Sequence, residues 1–403
     1  MKSFLLFIWL FFLVFTPQFL IFGIVFNSLY FLLIPLFLID FKKFKNDLLL
    51  NRFFLVLLIV LIFHFCIAIY NGYLEISILK QIIIFFFMFL NFYFFFVKFS
   101  LFFPEKTLYK LFMLVLIVLV VNSLTILISV IYPPFSNFLY DFVFITEKQA
   151  GAIYETNLLK RFSGFSVSGF SYLSFKYMFL YIIAISYFIR ENLKFKDSLL
   201  IIFFSFIIIF SLVFVARTGL FFVFIFFMFF LIKKYFLNFK LKEIFLFALL
   251  IFLVYNLIES NDSEVFWFAA DRSLDLFFNY FNNSELENGT INDLSQELIF
   301  PKSLCHWILG NGDFGRDRLF VTDIGWLSFI NGSGLVGVFI YFIPYFYLFF
   351  ISLNTGFRFS VVSLVLSSFV VNSKDLVFLE HSYIQAFCIM LIILLWKKSN
   401  LLA

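Results

Sequence analysis

Apolar runs of membrane-spanning length recur along the chain, separated mostly by short polar breaks. They fall near residues 4–15, 19–39, 53–70, 78–97, 108–131, 171–189, 199–215, 218–232, 243–258, 324–351, 359–373 and 380–396. A helix needs about 20 apolar residues to cross the hydrocarbon, and fewer when flanking residues snorkel. The pattern predicts an all-α integral membrane protein of about 12 transmembrane helices. Only two polar breaks are long. They divide the chain into N-terminal membrane helices (1–132), a first large loop (133–170), central membrane helices (171–258), a second large loop (259–322) and C-terminal membrane helices (323–403).

Composition strengthens this picture. The chain is 64% hydrophobic, with mean hydropathy +1.08 and only 13% charged residues. A soluble protein carries about 25% charged residues. The start, Met1-Lys2-Ser3 followed by an apolar run, resembles a signal peptide. Thr16-Pro17-Gln18 is not a small-residue cleavage site, however, so a retained first helix is expected. Cys66, Cys305 and Cys388 are too scattered to suggest a disulfide framework or a metal site.

Charge sets the expected orientation. With the N-terminus inside and strict alternation, 18 of the 29 Lys and Arg fall on the inner side with only six of the 24 acids, giving +12 inside and −7 outside. Short loops with basic clusters mark the cytoplasmic face. Both termini are then expected in the cytoplasm and both large loops outside. Chemistry on that face has no access to a cytoplasmic nucleotide donor.

Five arginines remain on the outer face: Arg161, Arg217, Arg272, Arg316 and Arg318. Arg217, in Val215-Ala216-Arg217-Thr218-Gly219, lies between two apolar runs with almost no loop. Charge at that depth costs about 2.5–3.5 kcal/mol on insertion scales unless it snorkels or meets an anion. Either it snorkels at a tight turn or it binds an anionic ligand. Arg161 opens Arg161-Phe162-Ser163-Gly164-Phe165, just before a helix start. Small residues there let backbone approach a ligand, and helix N-terminal amides favour anions. A plain Gly/Ser turn is the alternative. Arg272 precedes Leu274, Phe277, Phe278 and Phe281, the spacing of one apolar helix face. A short amphipathic helix on the outer leaflet would hold it at headgroup height. A surface arginine on a packing helix fits the same spacing.

Gly310-Asn311-Gly312-Asp313-Phe314-Gly315 has the G-x-G-x-x-G form but no strand–turn–helix unit around it, so a dinucleotide site is rejected. A turn presenting amides to an anion remains open. Arg316 and Arg318 follow, and guanidinium forks suit phosphate oxygens. Pairing among Asp313, Arg316, Asp317 and Arg318 is the alternative. Asp323 at the start of one span, and Glu380 and His381 at the start of the last, are candidate bases or water-satisfied interface residues. His64 and His306 are given structural roles. No zinc site, serine triad, phosphate-cradling P-loop or Asp-x-Asp pair is present in the sequence. No metal, cofactor or nucleic-acid partner is expected.

Three features together resemble one family: Arg161-Phe162-Ser163-Gly164-Phe165 before a span, Ala216-Arg217-Thr218-Gly219 between two spans, and Gly310-Asn311-Gly312 followed by Thr322-Asp323-Ile324-Gly325-Trp326 and Gly332-Ser333-Gly334-Leu335-Val336-Gly337. Over roughly residues 150–390 the chain resembles the Wzy O-antigen (oligosaccharide repeat-unit) polymerases of the O-antigen ligase and polymerase superfamily. The resemblance implies a metal-independent, GT-C-like membrane glycosyltransferase of lipopolysaccharide or other surface polysaccharide biosynthesis. Its two large loops would be periplasmic, in the bacterial inner (cytoplasmic) membrane. The substrates implied are undecaprenyl-diphosphate-linked glycans, bound through Arg161, Arg217, Arg272, Arg316 and Arg318. Asp323, Glu380 and His381 would supply the base. A chain-length regulator and a flippase of the same pathway are implied as partners, beside membrane lipids. The ligases carry a histidine where this chain has Asp323, which favours the polymerase pattern. The competing expectations are an O-antigen ligase and a lipid-linked oligosaccharide flippase. For the flippase, mid-span polarity looks sparse, with His64, Asn91 and Asn122 as its members.

Overall fold

A computed structural model describes residues 2–21, 24–27, 48–70, 76–132, 134–135, 138–139, 164–165, 170–236, 300–301, 303–311, 325–353, 355–373 and 381–402. In chain order the elements are α1 (Lys2–Phe15), β1 (Gln18–Ile21), β2 (Ile24–Asn27), α2 (Leu48–Tyr70), α3 (Ile76–Phe102), α4 (Thr107–Ile131), α5 (Phe170–Arg190), α6 (Phe195–Val213), α7 (Arg217–Leu231), α8 (Leu304–Leu309), α9 (Gly325–Ser352), α10 (Arg358–Val371) and α11 (His381–Leu402). Ten of the twelve apolar runs coincide with helices. Five helices are long and apolar enough to cross a membrane: those of Ile84–Phe102, Thr107–Ile131, Tyr172–Arg190, Phe195–Val213 and Gly325–Ser352. The protein is thus built from apolar membrane-type helices. The run at 243–258 and the amphipathic stretch at 271–281 lie outside the described residues.

The apolar run at 19–39 departs from the expected single span. Its start forms an antiparallel strand pair, with Gln18 opposite Asn27 and Ile21 opposite Ile24. Pro17 has no N–H to continue α1 and its ring blocks the preceding turn. Ile21, Ile24 and Val25 are β-branched, and Phe19 and Phe26 also favour strands. A short apolar run carries no period that separates a buried strand from a helix.

Contacts divide the chain into two compact units. One comprises residues 1–14, 28–108 and 287–403; the other comprises residues 15–27 and 109–286. In the first unit α2 packs on α3 and α9, and α11 packs on α3, α9 and α10. Phe85 meets Phe387 and Phe96 meets Trp396, so α3 and α11 run parallel. The Gln385 side-chain amide donates to the Leu13 and Val14 carbonyls, both at 2.9 Å. These belong to the last turn of α1, where carbonyls lack intrahelical partners.

α9 is not one straight span. Gly334 breaks it at φ 64, ψ 177. Trp326 lies 5.9 Å from Phe342, and Phe329 lies 5.0 Å from Tyr341, ring centre to ring centre. Sixteen residues of straight helix would separate the first pair by about 24 Å. Gly325–Ser333 therefore folds back antiparallel on Leu335–Ser352, as a helical hairpin. The second arm, 18 residues and about 27 Å long, is the part with spanning length.

In the second unit α5 is the central helix, with 94% of its spanning window buried in the protein against 39% for α6. Tyr109 packs on Phe188 and Phe112 on Tyr187, so α4 runs antiparallel to α5. Gly219 lies against Ser174, while the Lys234 ammonium donates to the Glu191 carbonyl. Those two contacts make α7 parallel to α5. Burial lowers the Lys234 pKa below its ordinary value, with Glu191 acting in the opposite sense. Arg190, Lys194, Lys196, Lys233 and Lys234 gather at one end of this unit, and the starts of α5 and α7 form the other.

Candidate functional site

The motif end of the second unit contains a connected polar layer. Tyr177, fully buried on α5, accepts from Asn122 Nδ2 at 3.0 Å and from Ser123 Oγ at 3.2 Å, and donates to the Leu119 carbonyl at 3.2 Å. Ser211 of α6 extends the chain to Ser123 at 2.8 Å. Asn122 Oδ1 accepts the Phe165 N–H at 2.9 Å. Gly164 there has φ 59, and a Cβ on it would stand 2.6 Å from Asn122 Oδ1 and 2.8 Å from Thr125 Oγ1. Only glycine adopts that backbone at that closeness. Thus Gly164-Phe165, from the first motif, is pinned to α4 above Tyr177.

The second motif reaches α5 at the same end. A Cβ on Gly219 would meet the Ser174 carbonyl oxygen at 2.4 Å, so α7 and α5 touch backbone to backbone. Arg217 is the first residue of α7, following Ala216, whose side chain supplies no cap. Its own side chain lies outside the described residues.

Between these motifs lies a residue the charge pattern concealed. Lys176 is fully buried, with its Nζ 5.8 Å from the centre of the Phe15 ring. Phe15 also packs against Tyr177, at 6.0 Å. Counting Lys176 with the outer loops hid it, although it stands inside the apolar run at 171–189. Ser171, Ser174, Tyr177 and Tyr181 recur at helical spacing along that run and mark one polar stripe, the face that carries the Tyr177 layer; Lys176 lies off that stripe. The expectation of sparse mid-span polarity is corrected accordingly.

The first unit holds a second centre. Trp326, three residues after Asp323, ties the start of α9 to the end of α10. Its backbone N–H donates to the Asn372 carbonyl at 3.1 Å and its indole N–H to the Phe369 carbonyl at 3.2 Å. From Trp326 a path of rings runs through Phe342 and Tyr345 to Tyr383, two residues after His381. Tyr345 and Tyr383 stack 5.4 Å apart at 8°. The starts of α9 and α11 are thereby linked by one aromatic cluster. At the tip of the α9 hairpin, Ile308–Asn311 docks on Asn331–Gly334. Asn311 N–H donates to the Asn331 carbonyl at 2.7 Å, and Gly310 N–H donates to the His306 carbonyl at 2.9 Å. Both described amides of that turn are engaged within the protein, so they do not present themselves to an anion.

Arg161, Arg272, Arg316, Arg318, Asp323 and Glu380 lie outside the described residues. His381 is the first residue of α11, and its side chain lies outside them too. Arg217 and His381 belong to different units.

No family model, curated protein or solved structure matches this chain.

Proposed function

We propose that this protein is a membrane glycosyltransferase that polymerises undecaprenyl-diphosphate-linked repeat units into O-antigen or a similar surface polysaccharide. The growing glycan is transferred onto an incoming lipid-linked unit. An acceptor hydroxyl oxygen bonds to the anomeric carbon, the bond from that carbon to the diphosphate oxygen breaks, and the diphosphate departs with the electron pair. Arg161, Arg217, Arg272 and Arg316 or Arg318 stabilise the developing charge, as preorganised donors do where water is excluded. The hydroxyl proton goes to Asp323, Glu380 or His381. The reaction takes place at the periplasmic face of the inner membrane, with both termini cytoplasmic.

One observation carries the reading. Two separate motifs that resemble the polymerase pattern lie at the same end of the second unit: Phe165 N–H bonds Asn122 of α4, which bonds Tyr177 of α5, and Gly219 touches Ser174 of α5. The opposite end of that unit is the basic one, which accords with a cytoplasmic face there. The aromatic link between the starts of α9 and α11 supports a shared role for Asp323 and Glu380–His381 in the other unit.

A flippase is the second reading, favoured by the interrupted helix α9, since broken helices line substrate paths in transporters. Gene deletion separates the two. A polymerase loss leaves surface glycan with a single repeat unit. Loss of all capped core refutes polymerisation and points to the flippase or the ligase. In the complemented strain, Arg217→Ala at normal protein level should abolish long polymer, and Arg217→Lys should impair it severely because the planar fork is lost.

A further inference from the structure

We propose that α8 is a membrane-interface anchor. Its Leu304 and Ile308 side chains insert among the lipid acyl chains of one leaflet and hold the tip of the α9 hairpin at the bilayer surface. This anchoring does not depend on glycan polymerisation.

α8 has two unlike exposed faces. Leu304 is 77% exposed, and Ile308, four residues on, is exposed on the same face. At about 100° per residue His306 falls on the opposite face, where it and the cap Ser303 are exposed. No Asp, Glu, Lys or Arg stands between Ser303 and Asn311. The segment is held at both ends. Ser303 Oγ accepts the His306 N–H at 3.2 Å, and the Ser303 carbonyl accepts the Trp307 N–H at 3.0 Å. Trp307 stacks on Phe300, ring centres 6.0 Å apart at 17°. At the far end Asn311 N–H donates to the Asn331 carbonyl, and a Cβ on Gly334 would meet the Ile308 carbonyl oxygen. The apolar edge is therefore rigidly mounted on the hairpin.

Single exposed apolar side chains are ordinary on protein surfaces. This edge differs because it continues into a membrane-type helix. Ile308 abuts Gly334, where the second arm of α9 begins. From there Leu335, Phe339, Ile343, Phe346 and Phe350 are exposed, Phe339 by 70%. Steps of four, four, three and four residues keep them on one stripe. The arm has spanning length, so the stripe faces acyl chains. Leu304 and Ile308 carry that exposed apolar surface past the end of the arm, onto a helix whose other face is polar. A helix apolar on one face and polar on the other lies in the plane of the interface. Trp307 suits the same level, where indoles concentrate. Lipid already covers the neighbouring stripe, and an uncharged segment offers a charged partner nothing to pair with. Because Gly310 and Asn311 dock on the hairpin tip, an anchored α8 fixes the level of that turn in the membrane.

The test uses the full chain in phosphatidylcholine nanodiscs, with Cys66→Ser and Cys305→Ser removing the exposed thiols. An NBD fluorophore is attached at Leu304→Cys, Ile308→Cys or His306→Cys. These positions are exposed, so labelling leaves the packing intact. Aqueous dithionite reads access from water. Phosphatidylcholine bearing a nitroxide high on its acyl chain reads contact with lipid. Dithionite should bleach the reporters at 304 and 308 at least tenfold more slowly than the one at 306, and the lipid nitroxide should quench them at least twofold more. Equal bleaching at all three positions overturns the proposal, since α8 then lies in water. Shielding at 304 and 308 without quenching by the nitroxide lipid also overturns it, because protein, a second copy or another segment of this chain, then covers the face. An unlabelled check is Leu304→Glu combined with Ile308→Glu. Charge on the anchored face should lift α8 from the lipid and speed its amide exchange at least tenfold; unchanged exchange overturns the proposal as well.

Discussion

Gly219 offers a quantitative check on the α5–α7 contact. A Cβ added there would sit 2.4 Å from the Ser174 carbonyl oxygen and 2.7 Å from the Ser174 carbonyl carbon. Carbon approaches a carbonyl oxygen to about 3.3–3.6 Å. Gly219→Ala therefore requires α7 to retreat from α5 by about 1 Å. The obstacle is backbone, which has no rotamer to give. Overpacking of this kind costs about 1–3 kcal/mol. Alanine recovers up to about 1 kcal/mol of helix propensity relative to glycine. The net expected loss is about 1–2 kcal/mol for Gly219→Ala, and Gly219→Leu should exceed about 3 kcal/mol, since the whole side chain must enter the same gap. Equilibrium unfolding of the purified protein in mixed micelles measures both. Polymer formed per molecule of folded protein is the companion readout. Gly219→Ala should lose polymer in step with folded protein, whereas Arg217→Ala should lose polymer without losing protein. A Gly219→Ala protein as stable as wild type would refute the backbone contact and leave the glycine without a packing role.

Three further outcomes follow from the hydrogen bonds and the hairpin. Tyr177→Phe removes the acceptor for Asn122 and Ser123; at about 0.6 kcal/mol for an average membrane hydrogen bond and about 1.7 at most, unfolding should cost about 1–2 kcal/mol less, and an unchanged midpoint would discount the layer. Gly334→Ala places a side chain at φ 64 with the Ile308 carbonyl oxygen in its way, so at least about 2 kcal/mol should be lost, read as reduced accumulation and a lower unfolding midpoint. Gln385→Leu strips the amide that serves the Leu13 and Val14 carbonyls; a loss of about 1–2 kcal/mol is expected, and protection of α1 amides in hydrogen exchange should fall with it.

Much of the helical layout was legible because long apolar runs have few alternatives in a membrane. α4, α5 and α10 begin and end within about two residues of their runs, a margin at which helix assignments themselves differ. The reading failed where hydrophobicity carries no direction. Residues 19–21 and 24–26 are as apolar as any span, yet pair as strands after Pro17. The run at 324–351 reads as one span, but Gly332-Ser333-Gly334 turns it back on itself. That glycine cluster was visible in the sequence. What was not visible was the backbone of Ile308–Asn311, which the missing side chains admit. The motif glycines illustrate the same limit. Gly164 and Gly310 suit ligand approach in the sequence, yet in the structure each, like Gly219, admits a neighbouring part of the protein.

Arg217 was the cation hardest to explain from sequence, because it interrupts two apolar runs. As the first residue of α7 it stands at a helix end, where a long side chain can turn toward the interface. Its motif glycine is already accounted for by Ser174. Membrane cost alone therefore does not require Arg217 to bind an anion: long polymer from Arg217→Ala at normal protein level makes it an interface residue at the start of α7, and loss of polymer at that level places it on the diphosphate.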